Sequence, residues 1–104
     1  MTNISVDEVK SRLDAGEKLI IIDCREPYEY NEFHIGGTLI PLGRFQTFQL
    51  EELEDLKDEE IIVHCRSGSR SAQACLILDT MGFKNTKNLK GGMMEWQEKF
   101  GSSL

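Results

Sequence analysis

Two short runs of aliphatic residues lack the alternation of a strand that has one exposed face. They are Leu19-Ile20-Ile21-Ile22 and Ile61-Ile62-Val63. A strand that is apolar at every position is buried on both faces, which is typical of a parallel sheet with helices packed on each side. The two runs therefore predict central strands over residues 18–24 and 60–64, and they indicate an α/β fold with a mainly parallel sheet.

Helical patterns separate the predicted strands, as such a fold requires. Ser5 and Glu8 have the spacing of a capping box, which predicts a helix that Gly16 ends. Pro27 suits the first turn of a second helix over residues 27–33. The other predicted elements are a brief strand over 38–40, helical material carrying Phe45, Phe48, Leu50, Leu53 and Leu56, a helix over 72–81, a strand over 85–89 and a helix over 93–100.

Length and charge limit what the chain can do. Its 104 residues suit a single domain over residues 1–104. The formal net charge of −6 would repel a nucleic-acid backbone, so no nucleic-acid binding is expected. The apolar runs are far shorter than the roughly 20 residues that span a bilayer, and the first residues lack a signal-peptide core. We therefore expect a cytoplasmic protein that makes no membrane contact.

Three cysteines, Cys24, Cys65 and Cys75, form no C-x-x-C pair and cannot all be joined in disulfides. In a reducing compartment each is a buried apolar residue, a metal ligand or a reactive thiol. Cys75 lies among apolar helix residues and is expected to pack in the core. The spacing of the cysteines with His34 and His64 matches no zinc-binding pattern, so no metal is expected.

Residues 65–70 follow the second predicted central strand and lead into a helix. Ligands of open α/β sheets bind at such places, beyond the carboxyl ends of the strands. Gly68 allows an unusual backbone dihedral, so successive N–H groups can converge on an anion near a helix N-terminus. These donors, together with Arg66 and Arg70, favour the thiolate form of Cys65. We therefore predict that Cys65 is a nucleophile and that its substrate is an oxyanion.

The two serines of the loop fit the same interpretation. Ser67 and Ser69 are short enough to line an anion cradle without filling it, and their hydroxyls can donate to an anion. The alternative is a solvated turn whose arginines serve only solubility. The coincidence of a strand end, a cysteine, a glycine and two arginines favours the anion site.

Three segments, in the same order along the chain, resemble the signatures of the rhodanese family, and the likeness covers nearly the whole chain. The first is Asp23-Cys24-Arg25-Glu26-Pro27-Tyr28-Glu29-Tyr30 followed by His34-Ile35-Gly36-Gly37, which is similar to a signature with Asp-x-Arg and His-Ile-Pro-Gly. The second is Cys65-Arg66-Ser67-Gly68-Ser69-Arg70, which resembles the six-residue catalytic loop. The third is Leu89-Lys90-Gly91-Gly92-Met93 with Trp96.

The resemblance implies a five-stranded, mainly parallel sheet flanked by helices on both faces. It also implies a sulfurtransferase in which Cys65 takes up sulfane sulfur as a persulfide and passes it on. The N–H groups of residues 66–70 would hold the persulfide, and Arg66 and Arg70 would bind the oxyanion end of the donor. No metal or organic cofactor is needed, because the sulfur is held covalently. The partners would be a small-molecule sulfur donor and a thiol acceptor, which a protein can also supply.

The chain departs from the family pattern at two positions. Gly36 replaces the usual proline, which should loosen that turn by enlarging the unfolded ensemble. Cys24 stands where valine or threonine is commoner. It would end a strand next to the catalytic one, so we expect either a buried apolar residue or a resolving thiol for Cys65.

Several polar residues near the motifs are expected to be structural. His64 precedes the nucleophile, but successive strand side chains point to opposite faces, so it should pack rather than act as a base. His34 should fix its turn by a hydrogen bond. Arg25 and Glu29 have helical spacing and predict a local ion pair, and Trp96 is expected to anchor the last helix.

Other classes of function remain open besides the sulfurtransferase. Cysteine phosphatases and arsenate reductases resemble a Cys-x5-Arg loop, whereas here Arg70 is five positions after Cys65 and Ser71 holds the sixth. The other class is a persulfide carrier or a non-enzymatic binding module of the same fold, although such modules often lack the cysteine. The cationic Arg66 suits thiosulfate, and a low-molecular-weight or protein persulfide fits equally well. We expect a monomer or a weak dimer.

Overall fold

Five strands form one sheet in a computed structural model of the chain, which describes residues 1–102. The strands are β1 (Thr2–Ile4), β2 (Ile20–Asp23), β3 (Thr38–Leu39), β4 (Glu60–His64) and β5 (Asn85–Leu89). They lie in the order β1-β5-β4-β2-β3, and all the pairings are parallel. The expected five-stranded sheet is confirmed.

Helices cover both faces of this sheet, as expected. They are α1 (Val6–Asp14), α2 (Pro27–Glu32), α3 (Leu42–Gln46), α4 (Ser69–Thr80) and α5 (Gly92–Phe100), with a 3-10 helix over Glu51–Leu56. α1 and α5 bury Val9 and Trp96 against one face. α3 and α4 bury Phe45 and Leu78 against the other. No helix within residues 1–102 is both long and apolar enough to cross a membrane.

The central strands send alternate side chains into two separate cores. In β4, Ile61 and Val63 join the core beneath α3 and α4, whereas Ile62 joins the core beneath α1 and α5. All three side chains are fully buried. Burial on both faces is the physical reason why this strand does not alternate between apolar and polar residues.

Two local features differ from the pattern expected from the sequence. The edge strand β1 was not predicted, because only Ile4 of its three residues is buried and so short a segment shows no period. The helical segment expected around Phe48 is interrupted: α3 ends at Gln46, Phe48 has a φ of 58°, and its side chain is 61% exposed.

The turn after α2 has a shape that a proline at Gly36 could not adopt. Gly36 has a φ of +90°, whereas the proline ring holds φ near −65°. Its N–H donates to Nδ1 of His34 at 3.0 Å, and a proline has no N–H. The expected hydrogen bond of His34 is therefore confirmed. A proline at position 36 would therefore have to change this turn, and the expected loosening by glycine stays a prediction.

Gly36→Pro should lower the free energy of unfolding by more than about 1 kcal/mol, because the native φ is incompatible with the ring and a hydrogen bond is lost. Urea denaturation followed by circular dichroism measures the change. Gly36→Asn is the matched control, since asparagine tolerates a positive φ and no atom lies within 4 Å of a Cβ added here. A proline variant as stable as the wild type would contradict the described turn.

Candidate active site

The loop between β4 and α4 wraps around the sulfur of Cys65. Cys65 is 1% exposed. Its Sγ accepts hydrogen bonds from the N–H of Gly68 at 3.1 Å and from the N–H of Ser71 at 3.4 Å. Oγ of Ser71 lies 3.4 Å from the same sulfur. Donors converging on one sulfur stabilise a negative charge there.

Gly68 gives the loop the dihedral that the sequence suggested. It has a φ of +105° and N-caps α4. Of the six predicted site residues, four lie in this loop, whereas Ser69 and Arg70 begin α4. Ser67 and Ser69 are exposed, and Gly68 is half-buried. The backbone N–H of Gly68 therefore faces the sulfur while the two serines border the solvent.

The first amides of α5 hold the outer side of the loop. The N–H of Met93 donates to the carbonyl of Cys65 at 3.0 Å, and the N–H of Met94 donates to the carbonyl of Arg66 at 2.9 Å. A Cβ on Gly92 would lie 2.6 Å from backbone atoms of this loop, and Gly92 has a φ of +56°. Only glycine lets α5 approach so closely. Gly92 of the third signature therefore allows α5 to support the Cys65 loop.

Ser71 and Asn88 form a second support that sequence analysis missed. Oγ of Ser71 donates to Oδ1 of Asn88, and Nδ2 of Asn88 donates to the carbonyl of Gly68 at 3.2 Å. Both side chains are buried. Ser71 had one available signal, its place in the first turn of the helix that follows the cysteine loop. Asn88 had none, because only the order of the strands brings β5 to this loop.

The surroundings of Cys65 favour its thiolate. The neighbouring thiol of Cys24 contributes most to lowering the pKa of Cys65 below its ordinary range, and hydrogen bonds from Ser71 and Gly68 lower it further. Burial opposes this shift, because a buried charge loses its hydration. The contact with Cys65, together with burial, raises the pKa of Cys24. The amides of Gly68 and Ser71 therefore favour the thiolate on Cys65 rather than on Cys24.

The two arginines of the loop have different surroundings. Arg70 forms a two-point ion pair with Glu29 of α2, with N–O distances of 2.8 and 2.9 Å. This pair lowers the pKa of Glu29 to about 2. Arg66 is exposed and makes no ion pair with the other described residues. An anion in solution can therefore reach Arg66 directly, whereas at Arg70 it has to compete with Glu29.

Arg25 is not paired as the helical spacing suggested. It is 5% exposed and donates to the carboxylate of Asp23 at 2.7 Å and to the carbonyl of Phe33 at 2.6 Å. The expected ion pair with Glu29 is therefore wrong. Asp23 is fully buried at the end of β2, and a buried carboxylate needs a charged partner more than an accessible one does.

His64 is fully buried on the strand that leads to Cys65. Neither of its nitrogens has a hydrogen-bond partner within residues 1–102, and Nε2 lies 3.9 Å from Oδ2 of Asp23. Burial lowers the pKa of His64 to about 4, so its ring is neutral at pH 7. The donors to the Cys65 sulfur come from other residues, which agrees with the packing role expected for His64.

Two further expectations about core residues are confirmed. Cys75 is fully buried in the core beneath α4, and Trp96 is 3% exposed in the core beneath α5. In the part of the chain that the structure describes, no group of three or more His, Cys, Asp or Glu residues could hold a metal ion.

A cleft of about 560 Å³ opens beside the loop, between α2 and α5. Tyr28 and Met94 line it, and these side chains are 65% and 47% exposed. Arg66 and Glu29 also line it, whereas Cys65 does not. A molecule in this cleft would therefore meet the Cys65 loop at Arg66.

Comparisons with known proteins agree with this arrangement. The family model described as "Rhodanese-like domain" matches residues 5–99. The chain is 42% identical over 96 residues to "Putative sulfurtransferase YtwF" of Bacillus subtilis, covering 90% of this chain and 88% of that protein. It is 38% identical over 97 residues to "Putative sulfur carrier protein YrkF" of the same organism, covering 92% of this chain but only 51% of that protein. The crystal structure of a rhodanese-like domain protein from Staphylococcus aureus has a TM-score of 0.81 and 30% identity, covering 92% and 91% of the two chains.

The fold and the site define an α/β protein with a parallel sheet and a cysteine at the start of an anion-binding loop. Within that class, the chain belongs to the family of rhodanese-like domains. The resemblance drawn from the three sequence segments is confirmed, and so is the fold that it implied. Relatives named as a sulfurtransferase or a sulfur carrier connect the family to sulfur transfer.

Cys24→Val should raise the pKa of Cys65, because valine cannot donate to the thiolate. A lost charge-assisted hydrogen bond of about 1.5 kcal/mol corresponds to a rise of about one unit in the pKa of Cys65. The alkylation rate should therefore begin to fall about one pH unit higher when the solution is acidified. The rate of Cys65 modification by iodoacetamide as a function of pH measures the shift. Cys24→Ser keeps a donor and should shift less. Coincident profiles for the three proteins would contradict the role assigned to Cys24.

Proposed function

We propose that this chain moves sulfane sulfur from thiosulfate or a low-molecular-weight persulfide to a thiol or cyanide acceptor through a persulfide on Cys65. The observation that carries the proposal is the buried sulfur of Cys65 with the amides of Gly68 and Ser71 directed at it, a geometry that favours its thiolate. Such a thiolate is a strong nucleophile held close to donors that suit an anionic sulfur.

The first step transfers sulfur to the enzyme. The thiolate of Cys65 attacks the outer sulfur of thiosulfate, a new S–S bond forms, and the old S–S bond breaks with its electron pair on the departing sulfite. The resulting persulfide carries its negative charge on the outer sulfur, and the N–H groups of the loop would surround this anion.

The second step releases the sulfur. A thiolate acceptor or cyanide attacks the outer sulfur of the persulfide, and the electron pair of the broken S–S bond returns to Cys65. The thiolate is thereby regenerated without a redox cofactor. Stabilisation of this leaving thiolate by Gly68 and Ser71 therefore favours both halves of the cycle.

The two arginines would contribute differently to binding of the sulfur donor. Arg66 is exposed beside the cleft, so it would bind the sulfonate of thiosulfate. The role of Arg70 as a second contact stays a prediction, since its guanidinium already binds Glu29. Ser67 and Ser69 would add hydroxyl donors at the mouth of the loop.

The cleft between α2 and α5 would receive the acceptor. Its exposed rim residues Tyr28 and Met94 offer apolar contacts next to the charge of Arg66. The likeness to a protein named as a sulfur carrier supports a second candidate function, in which the persulfide is delivered to a protein. Turnover with small acceptors distinguishes an enzyme from a carrier that reacts once.

The loop length argues against phosphoryl chemistry. A phosphoryl group needs donors for three equatorial oxygens and an arginine across the ring. In this chain Ser71, not an arginine, holds the sixth position after Cys65, and it binds Asn88 and the sulfur. The smaller ring suits a single sulfur atom.

Cys65→Ser should abolish sulfur transfer from thiosulfate to cyanide, whereas Cys75→Ser should keep most of it. Cys75 is equally buried but lies outside the donor loop. Thiocyanate formation measures the transfer, and mass spectrometry should find an adduct of about 32 Da on Cys65 after loading with thiosulfate. Equal loss of activity in the two folded variants would overturn the proposed function.

Arg66→Ala should raise the KM for thiosulfate by up to about tenfold with little change in kcat, since one charge-assisted contact at an exposed site contributes at most about 1.5 kcal/mol. Arg70→Ala is the comparison. It should raise the KM less and lower the stability more, because it leaves Glu29 without its partner. If neither variant changes the steady-state kinetics, the arginines do not bind the donor.

A further inference from the structure

A second thiol lies directly beside the nucleophile. Cys24 follows β2 and Cys65 follows β4, and these strands are parallel neighbours whose last aligned pair is Asp23 with His64. The N–H of Cys24 donates to the carbonyl of His64 at 3.0 Å, a bond that belongs to this last pair and keeps the two chains side by side there. Cys24 and Cys65 are the residues that follow this pair on the two chains.

Both side chains point into the same core. Cys24 shares this core with Ile22, two positions earlier, and Cys65 shares it with Val63, as strand alternation requires. Each cysteine is 1% exposed. Neighbouring strands lie about 4.8 Å apart, which falls within the Cα separation of roughly 4.4–6.8 Å that a disulfide spans. The two thiols can be joined without moving the strands apart.

We propose that Cys24 is the resolving thiol of Cys65 and forms a reversible intramolecular disulfide with it after a hydroperoxide has oxidised Cys65. In the first step the Cys65 thiolate attacks one peroxide oxygen, the O–O bond breaks, and Cys65 becomes a sulfenic acid while the peroxide is reduced to an alcohol or water. In the second step the Cys24 sulfur attacks the Cys65 sulfur, and the hydroxyl leaves as water with the proton of Cys24. In total, two electrons pass from the two sulfurs to the peroxide.

The arrangement has a chemical consequence for the nucleophile. The properties that make Cys65 reactive toward a sulfur donor also make it reactive toward a peroxide, and a sulfenic acid left unresolved proceeds to an irreversible sulfinic acid. A disulfide with Cys24 stops this oxidation at a stage that an external thiol can reverse by exchange. Cys24 therefore protects the nucleophile, which explains a thiol at a position where valine or threonine is commoner in the family pattern.

Cys75 is a poorer partner although it belongs to the same core. It lies on α4, whereas Cys24 directly follows the strand that pairs with β4. Cys75→Ser is therefore the matched control for Cys24→Ser, and serine at position 24 keeps a donor for the Cys65 thiolate.

The test uses hydrogen peroxide and the full chain without any sulfur donor, so its result does not depend on the proposed function. After quenching with iodoacetamide, trypsin separates the three cysteines into different peptides, because Lys18, Arg25, Lys57, Arg66, Arg70 and Lys84 bound them. The wild type and Cys75→Ser should lose about 2 Da and yield a linked peptide of Cys24 and Cys65, which dithiothreitol separates. Cys24→Ser should instead gain about 32 Da on Cys65, which dithiothreitol does not remove.

Two results would overturn the proposal. One is a wild type that reaches the sulfinic acid on Cys65 as fast as Cys24→Ser and yields no linked peptide. The other is a linked peptide that joins Cys65 to Cys75. If Cys24→Ser fails to fold, the wild-type and Cys75→Ser digests decide alone, because the Cys24–Cys65 peptide is either formed or absent in both.

Discussion

The position of β4 between β2 and β5 is the constraint on which the rest of the site depends. Parallel strands bring their carboxyl ends to one edge of a sheet, so the residues that follow β2 and β4 meet Asn88 of β5 there. Cys65 thereby has Cys24 on one side and the Ser71–Asn88 pair on the other. A different strand order would leave the same loop without these supports.

A thiolate that is almost completely buried is stable only where donors replace the water it has lost. The amides of Gly68 and Ser71 supply this replacement. Hydrogen bonds from neighbouring elements to the loop hold these amides in place. On the outer side α5 binds the loop carbonyls, which is possible because Gly92 has no side chain to obstruct the approach. The loop is thus organised before any substrate arrives, which is the condition under which fixed dipoles contribute most to catalysis.

The three arginines near the loop have different surroundings. Two of them form ion pairs that stabilise the fold, and the third is exposed to solvent. Asp23 forms an ion pair with Arg25 in the interior, and Glu29 forms one with Arg70 where α2 contacts α4. These pairs tie the first signature segment to the sheet and to the helix of the catalytic loop. Arg66 is left at the solvent border beside the cleft. A molecule in the cleft therefore meets the exposed Arg66, the exposed carboxylates of Glu32 and Glu98, and the apolar side chains of Tyr28 and Met94.

The sequence by itself determined the α/β class, the bounds of β4 and β5, and the loop that holds Cys65. Doubly buried strands, capping residues and a cysteine before a glycine leave patterns among neighbouring residues, and such patterns can be read along the chain. Only the tertiary structure decided that Arg25 is buried with Asp23, that Glu29 pairs with Arg70 instead, and that Asn88 supports the loop. Each of these depends on which strands are neighbours and which side chains are buried together, and residues far apart in sequence carry no local sign of that choice.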